Sequence, residues 1–130
     1  AYTGNSGNIQ NGSNNNSYGN TYTTNDIIGC AVDLDNSKLY FSKNGTFQNS
    51  GDPTSGSTGT GAAATIASGY IYLPAMENYY PEDTYAFNFG NGYFGTTAIS
   101  SEGTNASGIG KFEYDVPTGY TALSTKGLNE

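Results

Sequence analysis

The 130-residue chain carries 11 acidic and 4 basic side chains, which gives a net charge of −7, and it contains neither His nor Trp. The basic side chains are all Lys, and so few cations cannot form a phosphate-neutralising patch, which excludes nucleic acid and anionic membrane surfaces as favoured partners. Hydrophobic residues reach 35% and aromatic residues 14%, unlike a disordered chain. Gly, Asn, Ser and Thr make up about half of the residues, and this helix-poor composition predicts an all-β fold around one core.

The first 24 residues combine scattered Tyr with Asn-Gly and Gly-Asn pairs and contain almost no aliphatic side chains. Such pairs favour turns with positive φ. The segment is therefore predicted to be irregular surface with one or two short strands.

Alternating apolar residues begin at position 28 and have the period of a half-buried strand. After a tight turn at 35–37, "KLYFSK" (38–43) predicts a second strand with Leu39 and Phe41 on one face. The Asn-Gly pair that follows is a strong hairpin-turn signal. Cys30, the single cysteine, lies within the first strand and is interpreted as a small buried hydrophobe rather than a reactive thiol.

Residues 49–69 form a long loop rich in Gly, Ser and Thr, which is predicted to be mobile. "YIYLPAM" (70–76) predicts the next strand, at a sheet edge or strand end because of its Pro. "TYAFNFG" (84–90) predicts another strand with a heavily aromatic face that belongs in a core or an interface. On this basis Phe41→Ala and Phe87→Ala are each expected to cost about 3–5 kcal/mol as core rings.

A second flexible segment, 90–110, precedes a predicted strand "KFEYDV" (111–116), a turn and a C-terminal tail. No apolar run approaches the length of a membrane span, and no signal-peptide core is present, so no membrane insertion is expected. The chain begins at Ala1 without Met, which suggests a processed product or a fragment of a longer protein.

"NDIIGCAVDLDNSKLYFSKNG" (25–45) resembles the signature of the SPRY family, G-D-x-I-G-x-x-x-D-x-D-x-G-x-[LI]-x-F-x-K-N-G. "IYLPAM" and "NFG" resemble later strands of the same family. Asn25 and Ser37 stand where the family pattern has Gly. The other pattern positions match: Asp26, Ile28, Gly29, Asp33, Asp35, Leu39, Phe41, Lys43, Asn44 and Gly45. The resemblance covers residues 18–94 and implies an antiparallel β-sandwich of the concanavalin A-like, jelly-roll type, with long Gly/Ser/Thr/Asn loops.

Two departures from the family pattern shape the functional expectation. The N-terminal half of the family domain, with its "YYWEV"-like strand, is not found, so residues 1–94 are interpreted as the C-terminal part of the sandwich. Residues 95–130 are interpreted as a flexible loop, a C-terminal strand and a tail that complete the same domain. The ending "DVPTGYTALSTKGLNE" and the amide-rich loops are similar to SPRY-like proteins of bacterial viruses.

Asp33, Asp35 and Asn36 offer oxygen ligands at the first hairpin turn. The favoured interpretation is turn stabilisation by short acidic side chains. A Ca²⁺ site is the weaker alternative, because the loop lacks the Gly and the distal Glu of an EF-hand. No cofactor or resident metal is expected.

Catalysis is not expected, because a chain with no His, no Arg and a single Cys cannot form the usual catalytic triads or zinc sites. Carboxylate-pair hydrolysis needs two facing acids, which this pattern does not single out. The acids considered for such a pair are Glu77, Glu82, Asp83, Glu102, Glu113 and Asp115.

The favoured hypothesis is a non-enzymatic structural module of a virion or an extracellular surface, in capsid decoration, a fibre or a tail. Its expected partners are other assembly subunits, with homo-oligomers favoured. A carbohydrate-binding adhesion module and a SPRY-type peptide-binding adaptor are the alternatives. Tyr rings suit both glycan stacking and protein contacts, and the candidates are Tyr70, Tyr72, Tyr79, Tyr80 and Tyr93.

Overall fold

A computed structural model describes residues 1–77 and 80–124. The chain divides into two compact units, Ala1–Ala67 and Ser68–Glu130. The strands in both units pair antiparallel, and the only helical elements in the described residues are two short 3-10 turns. The predicted all-β class is therefore confirmed.

The first unit begins with a small hairpin. Strands β1 (Asn8–Asn11) and β2 (Asn14–Ser17) pair antiparallel, with Ile9 opposite Asn16. Gly12 lies in the connecting turn with a φ of 60°, a conformation that Gly adopts without a Cβ penalty. The two strands of this hairpin are the short strands expected for the amide-rich N-terminal segment.

The N-terminal segment is largely surface, as expected, but it also supplies three buried side chains to an aromatic core of the first unit, which its interpretation as irregular surface did not include. Tyr2, Ile9 and Tyr18 are buried together, and Tyr22 and Phe41 pack against them. The Tyr2 ring lies 5.6 Å from that of Tyr18 at nearly a right angle and stacks on Phe41 at 5.5 Å. Such ring pairs stabilise beyond the area they bury. Widely spaced Tyr side chains thus replace the aliphatic residues that the segment lacks.

The central sheet of this unit is built on the hairpin of β3 (Ile28–Asp33) and β4 (Lys38–Lys43). Cys30 lies opposite Phe41 in this register. Strand β5 (Thr46–Phe47) follows the Asn-Gly turn and pairs with β4, and β6 (Ala64–Thr65) also pairs with β4. The predicted two-stranded hairpin is confirmed, and it extends into a four-stranded sheet.

The more buried face of this hairpin is the one that carries Ala31, Tyr40 and Ser42. The alternating apolar face was expected to be buried along its length; Ile28 and Phe41 of that face do pack against the aromatic core, but Leu34 is 70% exposed and Val32 39% exposed. The reason is steric. Small residues of β3 face the Tyr40 side of the hairpin, which leaves space for the Tyr40 ring and for the 47–55 segment that contacts it.

The loop that follows β5 contains folded structure, which its linker-like composition did not predict, and its mobility stays a prediction. It contains 3-10 turns at Gln48–Ser50 and Gly56–Thr58 and ends in β6. The Asp52 carboxylate accepts hydrogen bonds from the Thr54 amide at 2.8 Å and the Thr54 hydroxyl at 2.6 Å. Local hydrogen bonds and one sheet pairing therefore order a sequence whose composition is typical of linkers.

Asn25 and Ser37, which stand where the SPRY pattern has Gly, have left-handed backbones with φ of 70° and 59°. Gly adopts this conformation without strain, whereas Ser is sterically strained there and Asn is strained less.

Ser37→Gly is therefore expected to raise the free energy of unfolding by about 0.5–1 kcal/mol, even after the larger unfolded-state entropy of Gly is counted. Thermal denaturation measures this change in the free energy of unfolding. The comparison is Asn25→Gly, for which a change below about 0.5 kcal/mol is expected because Asn tolerates the left-handed conformation better than Ser. A destabilised Ser37→Gly protein would contradict the assigned turn conformation.

The second unit contains a short hairpin, β7 (Tyr93–Phe94) paired with β8 (Thr97–Ala98), and an isolated parallel bridge between Asn91 and Lys111. The Asn88 side chain supports this region: its Nδ2 donates to the Lys111 carbonyl at 2.9 Å and its Oδ1 accepts from the Gly90 amide at 2.7 Å. The "NFG" motif thus closes a local loop.

Three predicted strands of the second unit, 70–76, 84–90 and 111–116, are not strands in the structure. Phe87 and Phe89 stack on each other at 5.5 Å, but Phe87 remains 45% exposed and Phe89 43% exposed. The core assignment of Phe87 was therefore wrong. Alternation alone predicts extended backbone, whereas a strand also requires a neighbour for its backbone hydrogen bonds.

Candidate interaction surfaces

A polar clamp joins the two ends of the β3–β4 hairpin. The Asp26 carboxylate accepts from the Thr23 amide at 2.8 Å and from Asn44 Nδ2 at 2.7 Å, and it lies 3.1 Å from Lys43 Nζ. Asn44 Oδ1 in turn accepts from the Ile27 amide at 2.8 Å. These hydrogen bonds lower the pKa of Asp26, with the Thr23 amide contributing most. The clamp is a structural device that fixes where the hairpin begins and ends.

At the opposite end of the hairpin, Asp33 stabilises the first turn. Its Oδ1 accepts from the Asn36 amide and its Oδ2 from Asn36 Nδ2, each at 2.9 Å. The two bonds lower the pKa of Asp33. Asp35 is exposed beside them. This geometry is the turn-stabilising arrangement that was favoured over a Ca²⁺ site for Asp33, Asp35 and Asn36.

An apolar stretch of the second unit faces solvent. Ile71 is 91% exposed and Leu73 81% exposed, and Tyr70 and Met76 of the same stretch are also exposed. We call residues 70–76 the apolar segment. A run of large exposed apolar side chains is typical of a contact surface, because these side chains contribute hydrophobic free energy only when a partner buries them.

The family sequence model of the SPRY domain matches residues 1–91 of the chain. The chain belongs to the SPRY family. No curated protein and no solved structure matches it significantly. Membership confirms the predicted antiparallel β-sandwich class, and SPRY domains are protein–protein interaction modules.

The structure explains several positions of the SPRY signature physically. Asp26, Lys43 and Asn44 form the clamp, and Asp33 holds the turn. Phe41 packs in the aromatic core of the first unit. At these positions the signature describes how the hairpin is built.

Cys30 is an exposed residue of β3, so the prediction that it is a small buried hydrophobe was wrong. Although the residue as a whole reaches solvent, burial of the thiol group raises the pKa of Cys30 to about 11. Atoms crowded around the sulfur disfavour the thiolate, which is the nucleophilic form.

We therefore expect the Cys30 thiol to react with a disulfide reagent such as dithiobis(nitrobenzoate) at least about tenfold more slowly than glutathione at pH 8. The rate should rise steeply with pH towards the raised thiol pKa. Stopped-flow absorbance measures it, with Cys30→Ser as the blank. A rate equal to that of glutathione would contradict the described environment of the thiol.

Two of the acids considered for a hydrolytic pair, Glu113 and Asp115, accept hydrogen bonds from residues 13 and 11 positions earlier in the chain. Glu113 accepts from the Ser100 amide at 2.6 Å and from the Ser100 hydroxyl, and Asp115 accepts from the Thr104 amide at 2.7 Å. The pKa of each is lowered by these bonds, chiefly by the Ser100 hydroxyl and the Thr104 amide. A glycosidase acid needs a raised pKa at neutral pH, so the shifts of Glu113 and Asp115 run in the wrong direction for that role.

The tyrosines proposed for glycan or partner contact lie in the second unit. Tyr70 and Tyr72 belong to the apolar segment and are exposed, as are Tyr80 and Tyr93. Tyr79 lies outside the described residues. Their exposure is compatible with contact, and their role stays a prediction. In the part of the chain that the structure describes, no helix is long and apolar enough to cross a membrane.

Sequence reasoning did not single out an open, uncharged cleft of the first unit, lined by residues 17–20 and 46–50. Its walls come from the end of β2 and from the chain that runs from β5 into the first 3-10 turn. These segments are 26 or more residues apart in sequence and carry no motif, so only folding brings them together.

Proposed function

We propose that this SPRY chain is a non-enzymatic structural module that assembles with copies of itself on a virus or phage particle, as a capsid decoration, fibre or tail-associated subunit. The observation that carries the proposal is the apolar segment, in which Ile71 and Leu73 are almost fully exposed. Burying such side chains against a partner would contribute about 25 cal/mol per Å² of apolar surface. Membership of a family of interaction modules supports contact as the mode of action.

The charge distribution also supports a contact role. A net charge of −7 keeps copies of the chain soluble before assembly, since like charges oppose non-specific association. The apolar segment then supplies a specific attraction that the acidic surface lacks. A patch that contacts the same patch on an identical subunit produces a closed, twofold-symmetric assembly.

The test compares the wild-type chain with an Ile71→Ser/Leu73→Ser variant. Sedimentation velocity and native mass spectrometry measure the assembly state, and electron microscopy measures its symmetry. We expect a discrete symmetric oligomer for the wild type and a shift to monomer for the variant, with an unchanged melting temperature. Leu123→Ser, at another exposed Leu, is the matched control and should assemble normally. A wild-type chain that stays monomeric at its highest soluble concentration, or one that shows catalytic turnover, would overturn the proposal.

A peptide-binding adaptor is the second candidate, and one observation favours it. The Gly-rich loop after β5 would oppose this role if it were unstructured, but it is folded by the Asp52–Thr54 bonds and by β6. A pre-formed loop surface lowers the ordering cost of binding. Panning a displayed peptide library separates the candidates, because an adaptor enriches a short linear motif, whereas an assembly subunit enriches none and oligomerises.

A further inference from the structure

The cleft of the first unit has a volume of about 530 Å³ and no charged residue in its lining. This is within the usual size range of small-ligand sites, about 300–1,000 Å³. Its lining includes none of the tyrosines discussed above for glycan contact, and its own aromatic rings are Tyr18 and Phe47. The cleft is therefore a separate site.

Gln48 holds the two walls of the cleft in place. Its side chain is buried; Oε1 accepts from the Asn20 amide and Nε2 donates to the Thr46 carbonyl, each at 2.8 Å. Gly19 lies so close that a Cβ there would come within 2.7 Å of Gln48 Cβ. One side chain, bonded through both its oxygen and its nitrogen, thus connects the two walls of the cleft.

Five polar side chains of the cleft lining form no hydrogen bond within the described part of the fold; they are Ser17, Asn20, Thr46, Asn49 and Ser50. Each offers a hydroxyl or an amide, and the amides both donate and accept. Such groups are suited to a ligand that is rich in uncharged hydroxyls.

Asn49 and Ser50 have consecutive left-handed backbones, with φ of 56° and 53°. Gly adopts this conformation without strain, and two successive residues with side chains do not. The amide of Asn49 and the hydroxyl of Ser50 thus lie in the cleft lining at two positions whose backbone conformation favours Gly. Next to them, Phe47 is half-buried, with its ring against Tyr40 at a centroid distance of 6.5 Å.

We infer that this cleft binds a neutral saccharide. A pyranose has vicinal hydroxyls that pair with amide and hydroxyl side chains, and an apolar C–H face that packs on an aromatic ring such as Phe47. The absence of charge in the lining disfavours sialylated, sulfated or phosphorylated sugars, because nothing there neutralises an anion. The site is independent of the apolar segment, so it adds a ligand to the chain without depending on the proposed assembly.

The test uses saturation-transfer NMR with maltose, cellobiose, lactose and chitobiose as neutral probes and sialyllactose as the charged comparison. Amide shifts map the site, and titration of the best neutral probe gives its affinity. We expect binding of at least one neutral probe, shifts at residues 17–20 and 46–50, and no comparable binding of sialyllactose.

Asn49→Gly and Ser50→Gly remove the polar groups and retain the backbone conformation, and Thr46→Val removes a hydroxyl from the same wall without adding backbone freedom. Each is expected to weaken saccharide binding at least about tenfold at an unchanged or higher melting temperature. Asn25→Gly and Ser37→Gly are matched controls, since they make the same substitutions at left-handed positions outside the cleft lining and should bind normally. Failure of all neutral probes to bind, shifts outside the cleft, equal affinity in the three variants, or binding of a displayed peptide in place of sugar would overturn the inference.

Discussion

Replacing Tyr40 with Ala is expected to lower the free energy of unfolding of the first unit by about 3–5 kcal/mol. Tyr40 is the one large side chain in the described residues that is completely buried, at 0% exposure. Its ring packs against Phe47, and its hydroxyl lies 3.4 Å from Ser55 Oγ. Truncation would therefore leave a cavity between the hairpin and the folded loop.

The control for this prediction is Tyr40→Phe, which keeps the ring and removes only a long hydrogen bond, so a loss of about 1 kcal/mol or less is expected. For a unit of this size, each kcal/mol shifts the melting temperature by about 4–8 °C. Thermal and urea denaturation followed by circular dichroism distinguish the two variants. A Tyr40→Ala protein that melts within a few degrees of wild type would show that the buried face of the hairpin is assigned incorrectly.

Phe41→Ala is expected to cost about 2–4 kcal/mol, because the Phe41 ring stacks on Tyr2 at 5.5 Å and meets Tyr18 edge-on at 6.5 Å. The Tyr18 hydroxyl also accepts from the Phe41 amide at 3.1 Å, which links the ring cluster to β4. Losing the ring therefore disturbs the core that the N-terminal segment provides.

Phe87→Ala is the matched comparison, since it removes the same ring from a half-exposed position. Its expected cost is about 1 kcal/mol or less, because it gives up mainly the stack on Phe89. The ratio of the two effects is measured by urea denaturation of both variants. Equal losses at positions 41 and 87 would contradict the burial described for them.

The hairpin was the most predictable part of the fold, because its information is local. Period-2 alternation, an Asn-Gly turn and a short acidic turn specify β3 and β4 within 20 residues, Asp26 to Gly45, and Asp26, Lys43 and Asn44 of the clamp lie near the ends of the same stretch. The SPRY signature identifies the family from that stretch for the same reason.

The candidate sites were much less predictable. The exposed tyrosines of the second unit were named from composition, and the structure places Tyr70, Tyr72, Tyr80 and Tyr93 at the surface. The cleft of the first unit was missed, because its walls are made of Ser, Asn and Thr residues that look the same in a turn, a loop or a binding site. No local signal separates these uses.

The amino-acid sequence by itself determined the all-β class, the central hairpin, its turns and the acidic, amide-rich surface, since propensity, alternation and charge act over a few residues. Only the tertiary structure decided which hairpin face is buried, that distant Tyr2 and Tyr18 form a core, and that the Gly-rich loop folds. The physical reason is that burial depends on what packs against a side chain. A strand pattern marks two faces, but the partners that cover one of them come from elsewhere in the chain.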